Sequence, residues 1–346
     1  MIKSVNIKDR VIGEDSPPFI IAEACINHEG DINIAKEMVR KAHEAGADCI
    51  KFQIHVLENE MLRQAPQSDN FAEPLWDTLE RTNLSVDEHK ALKKLCEDIG
   101  IIYLCTPFSR EGTDILEKEI GVDFYKTGSG EMTNLPLIAH IARKGKPMII
   151  STGMCLIDEI RQTVELVKSI GTPLILTHCV SIYPTPYNRV NLGLIPKYRE
   201  EFGVPVGLSD HSQDIYSALG SVALGAAVIE KHFTLDKTQK GPDHASSIEP
   251  YELEQLVKGA KAIFEARGTE RKIFPEEKQI IAWARESVVS EVRIPKGVKI
   301  TKEMVWVKRP SPGEGAIPAK DLSKVIGRVA KSDIDKDIQI KWSDIE

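Results

Sequence analysis

The chain lacks several features that would assign its class at once. It has no excess of positive charge: 45 Lys and Arg stand against 52 Asp and Glu, a formal net charge of −7 over 346 residues. A basic stripe is the footprint of a nucleic-acid binder, so nucleic acid is not expected as a partner. No apolar run reaches the roughly 18 residues of a membrane span, and "MIKSVNIKDR" has no secretory apolar core, so a cytoplasmic protein without a membrane partner is expected. No cysteines are spaced as CxxC. The six, Cys25, Cys49, Cys96, Cys105, Cys155 and Cys179, are scattered, mostly through apolar runs, as buried free thiols in a reducing compartment would be. GxGxxG is also missing, since the first strand-to-helix junction reads "EACINHEGD", and this argues against a doubly wound dinucleotide-binding sheet.

What is present is a repeat of short β-rich apolar runs and longer amphipathic ones. The strand candidates are "FIIAEACIN", "DCIKFQI", "IIYLCTP", "DFYKTGS", "PMIISTG", "PLILTHCV", "VPVGLSDHS" and "VIEKHFT". Helix candidates such as "SVDEHKALKKLCEDIG" and "LIDEIRQTVELVKSIG" lie between them and close on glycine. Eight such units predict a (β/α)8 TIM barrel over residues 1–268. Residues 269–286 read as a charged linker with a short helix, and 287–346, rich in Pro and Gly turns, as a small, mostly β domain.

Barrel enzymes build their sites where strands end, so the residues closing each run are the candidates. They are Glu23 and Asn27, Lys51 with Gln53, Thr106, Lys126 with Ser129 and Glu131, Ser151 with Thr152, His178 and Ser181, Ser209 with His211, and Glu230 with His232. Residues two apart share a strand face, so Lys51 with Gln53, Ser209 with His211, and Glu230 with His232 can each point inward together. His211 and His232, if their strands are neighbours, suit a divalent metal; two core histidines bonded to carbonyls are the plain alternative. Two lysines among Thr106, Ser129, Ser151 and Ser209 suit a phosphate or carboxylate, with a Schiff-base lysine as the competing chemistry and rim lysines as the bland one. Glu131 can position or deprotonate a water, or simply sit at a helix N-terminus.

"INHEGD", "KFQ", "TPFSR", "YKTGSGE", "ISTGM", "IYPTPY", "GLSDHS", "EKHFT" and "GPDHASS" together resemble the N-acetylneuraminate (sialic acid) synthase family from about Pro17 onward, and the tail resembles its antifreeze-like (SAF) domain. The resemblance implies condensation of phosphoenolpyruvate with an N-acylated mannosamine-type sugar, N-acetylmannosamine foremost, to give a sialic acid and phosphate. The same chemistry on a 6-deoxy diacetamido sugar, giving legionaminic or pseudaminic acid, is the alternative, and a non-catalytic carbohydrate-binding protein is the reading from a different class. By resemblance, His211 and His232 hold Mn²⁺, with Mg²⁺ or Co²⁺ as substitutes. Glu23, Glu131, Lys51 and Lys126 become catalytic candidates, and Thr106, Ser129, Ser151 and Ser209 contact phosphoenolpyruvate. Gln53, Tyr183 and Asp243 face the sugar. Ser181 stands where the family often has Asn. Arg309 reaches the N-acyl group across a domain-swapped homodimer.

Overall fold

The computed structural model describes residues 4–65, 71 and 73–346. It opens on an antiparallel hairpin that sequence periodicity did not suggest, β1 (Ser4–Ile7) and β2 (Arg10–Gly13). The apolar runs then form β3 (Phe19–Glu23), β4 (Cys49–Ile54), β5 (Ile102–Pro107), β6 (Tyr125–Thr127), β7 (Met148–Ser151), β8 (Leu174–Cys179), β9 (Val206–Asp210) and β10 (Val228–His232). These eight make one sheet in the order β5-β4-β3-β10-β9-β8-β7-β6, with its ladders parallel. Its last strand pairs with its first, and the end strands β5 and β6 pack side by side, which curls the sheet into the expected barrel.

Most of the strand residues are buried on both faces, because helices cover the outside while side chains fill the inside. Alternation sorts them. Ile20, Ala22, Ile50, Phe52 and Ile150 belong to the outer core, packed with helix residues such as Met38, Leu92 and Val164. Phe19, Ile21, Cys49, Leu104, Phe124, Ile149, Ile175 and Val228 form a separate inner cluster, together with Val5, Ile7 and Ile12 of the hairpin. The hairpin therefore seals the N-terminal end of the barrel. Gly207 is required by closure of the sheet: a Cβ there would run into the carbonyl oxygen and Cβ of Val228 on the adjoining strand.

The helices follow their local signals. The helix Val86–Ile99 starts at a capping box in which the Ser85 hydroxyl accepts from the Glu88 N–H at 3.3 Å and the Glu88 carboxylate accepts from the Ser85 N–H at 2.7 Å. It stops at Gly100, whose φ of +87° is left-handed. No helix among the described residues is long and apolar enough to cross a membrane.

Contacts divide the chain into two compact units, Met1–Gly268 and Thr269–Glu346. The second contains the helix Glu277–Ala284 and an antiparallel pair, β11 (Ser287–Ser290) with β12 (Val305–Lys308). Isolated bridges such as Ile294 to Ile334 and Ala330 to Ile345 tie its turns together. Its core is aliphatic, built from residues such as Val288, Ile294, Ile300, Ile317, Val325 and Ile340.

Candidate active site

Continuing each inner strand face by two residues beyond the apolar layer reaches Glu23 from Ile21, Lys51 from Cys49, Thr106 from Leu104, Lys126 from Phe124, Ser151 from Ile149 and Glu230 from Val228. All six line one cavity of about 620 Å³ at the C-terminal ends of the strands. Gln53, Ser129, Glu131, Ser181, Tyr183, Ser209, His211, His232 and Asp243 line it too. Three other strand-end candidates do not line it: Asn27 donates to the Phe233 carbonyl at 2.9 Å, Thr152 to the Thr177 carbonyl at 3.3 Å, and His178 bonds the Val190 carbonyl at 2.6 Å. Arg309 belongs to the second unit, where its guanidinium lies 5.5 Å from the centre of the Trp283 ring.

The "LSDH" stretch resolves by parity. Ser209 and His211 face the cavity, while Asp210 points outward and pairs with the buried Lys231 at 3.0 Å.

The two cavity lysines are held by carboxylates that their spacing in the sequence did not reveal. Lys51 forms a close ion pair with Glu23, donates to the Thr106 hydroxyl at 3.1 Å and stands 3.7 Å from Glu230. Lys126 donates to Ser151 Oγ at 2.6 Å and to the Thr127 carbonyl at 2.7 Å, and it also lies 3.7 Å from Glu230. Ser209 donates to the same Glu230 oxygen at 3.0 Å. Burial lowers the Lys51 pKa to about 8, with Lys126 pushing the same way and Glu230 opposing. Burial also opposes charge on Glu230, but the two ammonium groups outweigh it and hold Glu230 below its ordinary value. The result is a compact, nearly neutral charge network rather than two free cations.

Hydroxyls and a backbone amide form the next wall. Ser151 shares a hydrogen bond of 2.9 Å with Thr177, and Ser129 Oγ accepts from the Gly153 N–H at 3.0 Å. A Cβ on Gly153 would stand 2.6 Å from Ser129 Oγ, so glycine is what lets the backbone approach. Glu131 occupies a turn ahead of the helix Leu135–Ala142, whose cap is Asn134, so the helix-terminus reading does not describe it. Its Oε2 is buried without a hydrogen-bond partner, and burial raises its pKa, against the pull of Lys126.

The opposite wall carries soft donors. β9 and β10 are neighbours, and the ring centres of His211 and His232 are 5.2 Å apart. Tyr183 stacks on His211 at 4.1 Å and meets His232 edge-on at 5.7 Å. The Val180 carbonyl accepts a hydrogen bond from His211 Nδ1 at 2.8 Å, which puts the lone pair of the neutral ring on Nε2. Burial works against charge on both Cys179 and His211, yet their mutual attraction at 3.9 Å lowers the former and raises the latter. Burial, then His211, drives the His232 pKa well down, and its Nδ1 has no hydrogen-bond partner. Cys25, His232 and Asp243 offer ligand atoms that all lie within 4.8 Å of one another.

Sequence reasoning missed Cys25 and also a rim. His55 contacts Gln53 Oε1 at 3.2 Å and Glu60 at 2.9 Å, and stacks on Phe108 at 4.6 Å. The signal was available for His55, since Lys51, Gln53 and His55 continue one alternation; for Glu60 and Phe108 there was none. Ile26, Met61, Leu75 and Leu79 give this side an apolar lining.

Comparison with known proteins agrees with the motifs. The NeuB family matches residues 38–272 and the SAF domain residues 285–346. The chain is 37% identical to the N,N'-diacetyllegionaminic acid synthase of Legionella pneumophila, covering 99% of this chain and 98% of that one. It is 36% identical to the N-acetylneuraminate-9-phosphate synthase of Homo sapiens, covering 95% and 92%. Among solved structures, the N-acetylneuraminic acid (sialic acid) synthetase of Leptospira borgpetersenii, in complex with citrate, superposes with a TM-score of 0.72 at 34% identity, covering 81% of this chain and 96% of that one.

Proposed function

The chain belongs to the NeuB family, and from that premise we propose that it condenses phosphoenolpyruvate with an N-acylated mannosamine-type sugar and water to give a sialic acid and phosphate. The observation that carries this reading is the two-sided cavity: ammonium groups and hydroxyls along β4 to β9 for an anion, imidazoles with a thiol and a carboxylate on the other side for a carbonyl.

In the proposed reaction, C3 of phosphoenolpyruvate forms a bond to the aldehyde carbon of the acceptor. Positive charge develops at C2, water adds there, and the tetrahedral carbon expels phosphate by breaking its C–O bond. Of the two water protons, one ends on the new hydroxyl and the other on phosphate. Lys51 and Lys126, with Thr106, Ser129, Ser151 and Ser209, hold the phosphate and carboxylate; their fixed donors need no reorganisation as charge shifts. The carboxylates around them argue for clamping rather than a Schiff base, because each amine is already committed to charge-assisted partners. Glu131 orients the water and takes its proton, a role that a buried carboxylate with a raised pKa suits. A divalent ion at His211 and His232 would supply Lewis-acid polarisation of the aldehyde, and the unpartnered His232 Nδ1 fits such a ligand.

N-acetylmannosamine is the first acceptor to test. The apolar lining of Ile26, Met61, Leu75 and Leu79 favours a second reading, a 6-deoxy diacetamido sugar, whose methyl groups it would cover. Among the described residues the cavity lining has no lysine or arginine beyond Lys51 and Lys126 to receive a sugar phosphate. Phosphate release from phosphoenolpyruvate across N-acetylmannosamine, its 6-phosphate and the diacetamido sugar decides between these. No release with any of them refutes the condensing reading and favours a carbohydrate-binding protein. A homodimer in which Arg309 assists the acceptor site is also part of the proposal. Activity regained on mixing Arg309→Ala with His211→Ala chains tests it, and no regain after demonstrated subunit exchange refutes it.

A further inference from the structure

We propose that Cys25 and Asp243 join the histidines as metal ligands, and that the thiolate directs this site to Zn²⁺, Co²⁺ or Fe²⁺ in preference to Mn²⁺ or Mg²⁺. The inference rests on the reading that the cavity holds a metal, and it reassigns Asp243 from the sugar to the ion.

Three observations carry it. The ligand atoms of Cys25, His232 and Asp243 lie within 4.8 Å of one another. Bonds of about 2.0–2.3 Å to one tetrahedral ion put ligand atoms about 3.3–3.8 Å apart, so small side-chain rotations close the site. The second observation is the buried His232 Nδ1, which has no hydrogen-bond partner within the protein. A buried imidazole nitrogen without a hydrogen-bond partner is suited to a cation, on a ring that a thiol and a carboxylate also approach. Third, His211 stands beside the trio, its ring centre 5.2 Å from that of His232 and its Nδ1 engaged with Val180, leaving Nε2 available. Tyr183 packs against both rings and holds them in place.

The placement of Cys25 is itself unusual. Just past the end of β3 it has a φ of +46°, with its N–H donating to Glu23 Oε1 at 2.7 Å. Glycine would take this left-handed conformation freely, whereas a side chain resists it. The sulfur it delivers lies within 4.8 Å of ligand atoms of His232 and Asp243. Among sulfur, nitrogen and oxygen donors, sulfur is the soft one, and a site containing it holds Zn²⁺, Co²⁺ and Fe²⁺ better than the hard ions that prefer oxygen alone.

The alternative is a thiol that simply donates a hydrogen bond to Asp243, and spectroscopy separates the two. Metal-free full-length protein is titrated with Co²⁺ and followed by absorbance. Thiolate ligation gives an intense near-ultraviolet sulfur-to-cobalt charge-transfer band; ligation by nitrogen and oxygen alone gives only weak visible bands. The band is expected in the wild type, absent in Cys25→Gly and Cys25→Ser, and displaced by Zn²⁺ but not by an equal concentration of Mn²⁺. Cys25→Gly eases the left-handed turn, so circular dichroism should report an intact fold. Its Co²⁺ affinity should fall roughly 100-fold, since losing even an outer partner of a ligand costs about 10–100-fold. Co²⁺ bound without the band, no Co²⁺ bound at all, or unchanged affinity in Cys25→Gly overturns the proposal. Phosphate release is scored separately: metal-dependent release without the band leaves the condensing reading standing, and the band without release with any acceptor leaves the metal site standing.

Discussion

Inside the barrel, two layers of side chains sit on the same strands two residues apart and behave in opposite ways. The lower layer, Phe19, Ile21, Leu104, Phe124, Ile149 and Val228, is dry, apolar and capped by the hairpin. The upper layer, Glu23, Lys51, Thr106, Lys126, Ser151 and Glu230, is just as buried but polar, and it leaves Glu230 Oε2 without a hydrogen bond. Apolar burial stabilises roughly in proportion to area, whereas a buried charge network at best breaks even against its desolvation. The difference teaches that the lower layer holds the barrel closed and the upper layer is kept for chemistry at some expense in stability. The hydroxyls and ammonium groups are held by one another, so they are already aligned before a substrate arrives.

Substitutions can break that division of labour. The largest effect is expected at Glu131: Glu131→Gln should lower kcat by roughly 10²–10⁴-fold, the range of a general acid or base, with little change in thermal midpoint. A midpoint lowered as far as that of a lower-layer variant would show that the polar wall above the layers is structural after all. Phe124→Ala is the converse. Phe124 is fully buried and meets Phe19 edge-on at 6.2 Å, so the change should cost about 3–5 kcal/mol in urea unfolding, while folded protein keeps a kcat near that of the wild type.

A pH profile sharpens the comparison, because the upper layer and the Glu131 turn above it titrate while the apolar side chains of the lower layer do not. Lys51 must be protonated to hold an anion and loses its proton near pH 8, so kcat/KM for phosphoenolpyruvate should fall as pH rises through about 8. Glu131 must be ionised to take a proton from water, and burial raises its pKa; activity should therefore rise with pH on a limb displaced above the ordinary carboxylate range. The two limbs make a bell. An alkaline limb that is unchanged in Lys51→Arg, whose charge persists, would assign it to another group. The smallest effect is expected from Ile149→Val, a single methylene removed from the lower layer: about 0.5–1.5 kcal/mol by urea denaturation and no change in the pH profile.

The sequence by itself determined the eight strands, the faces they present and the side chains that reach their C-terminal ends. Strand alternation is a local, covalent property: once "DCIKFQI" is a strand, Lys51 and Gln53 share a face wherever that strand lies. The motif order likewise carried the family. Only the tertiary structure decided which groups meet across the barrel: that Glu23 and Glu230 hold the lysines, that Asp210 turns away to Lys231, and that Cys25 lies beside His232 and Asp243. The pairing of β10 with β3 joins residues more than 200 positions apart, and their relative height is set by strand tilt and closure, which no local period records. The hairpin was hidden for a related reason. Its strands are four residues each and mix polar with apolar groups, and only the open end of a finished barrel gives Val5, Ile7 and Ile12 something to cover.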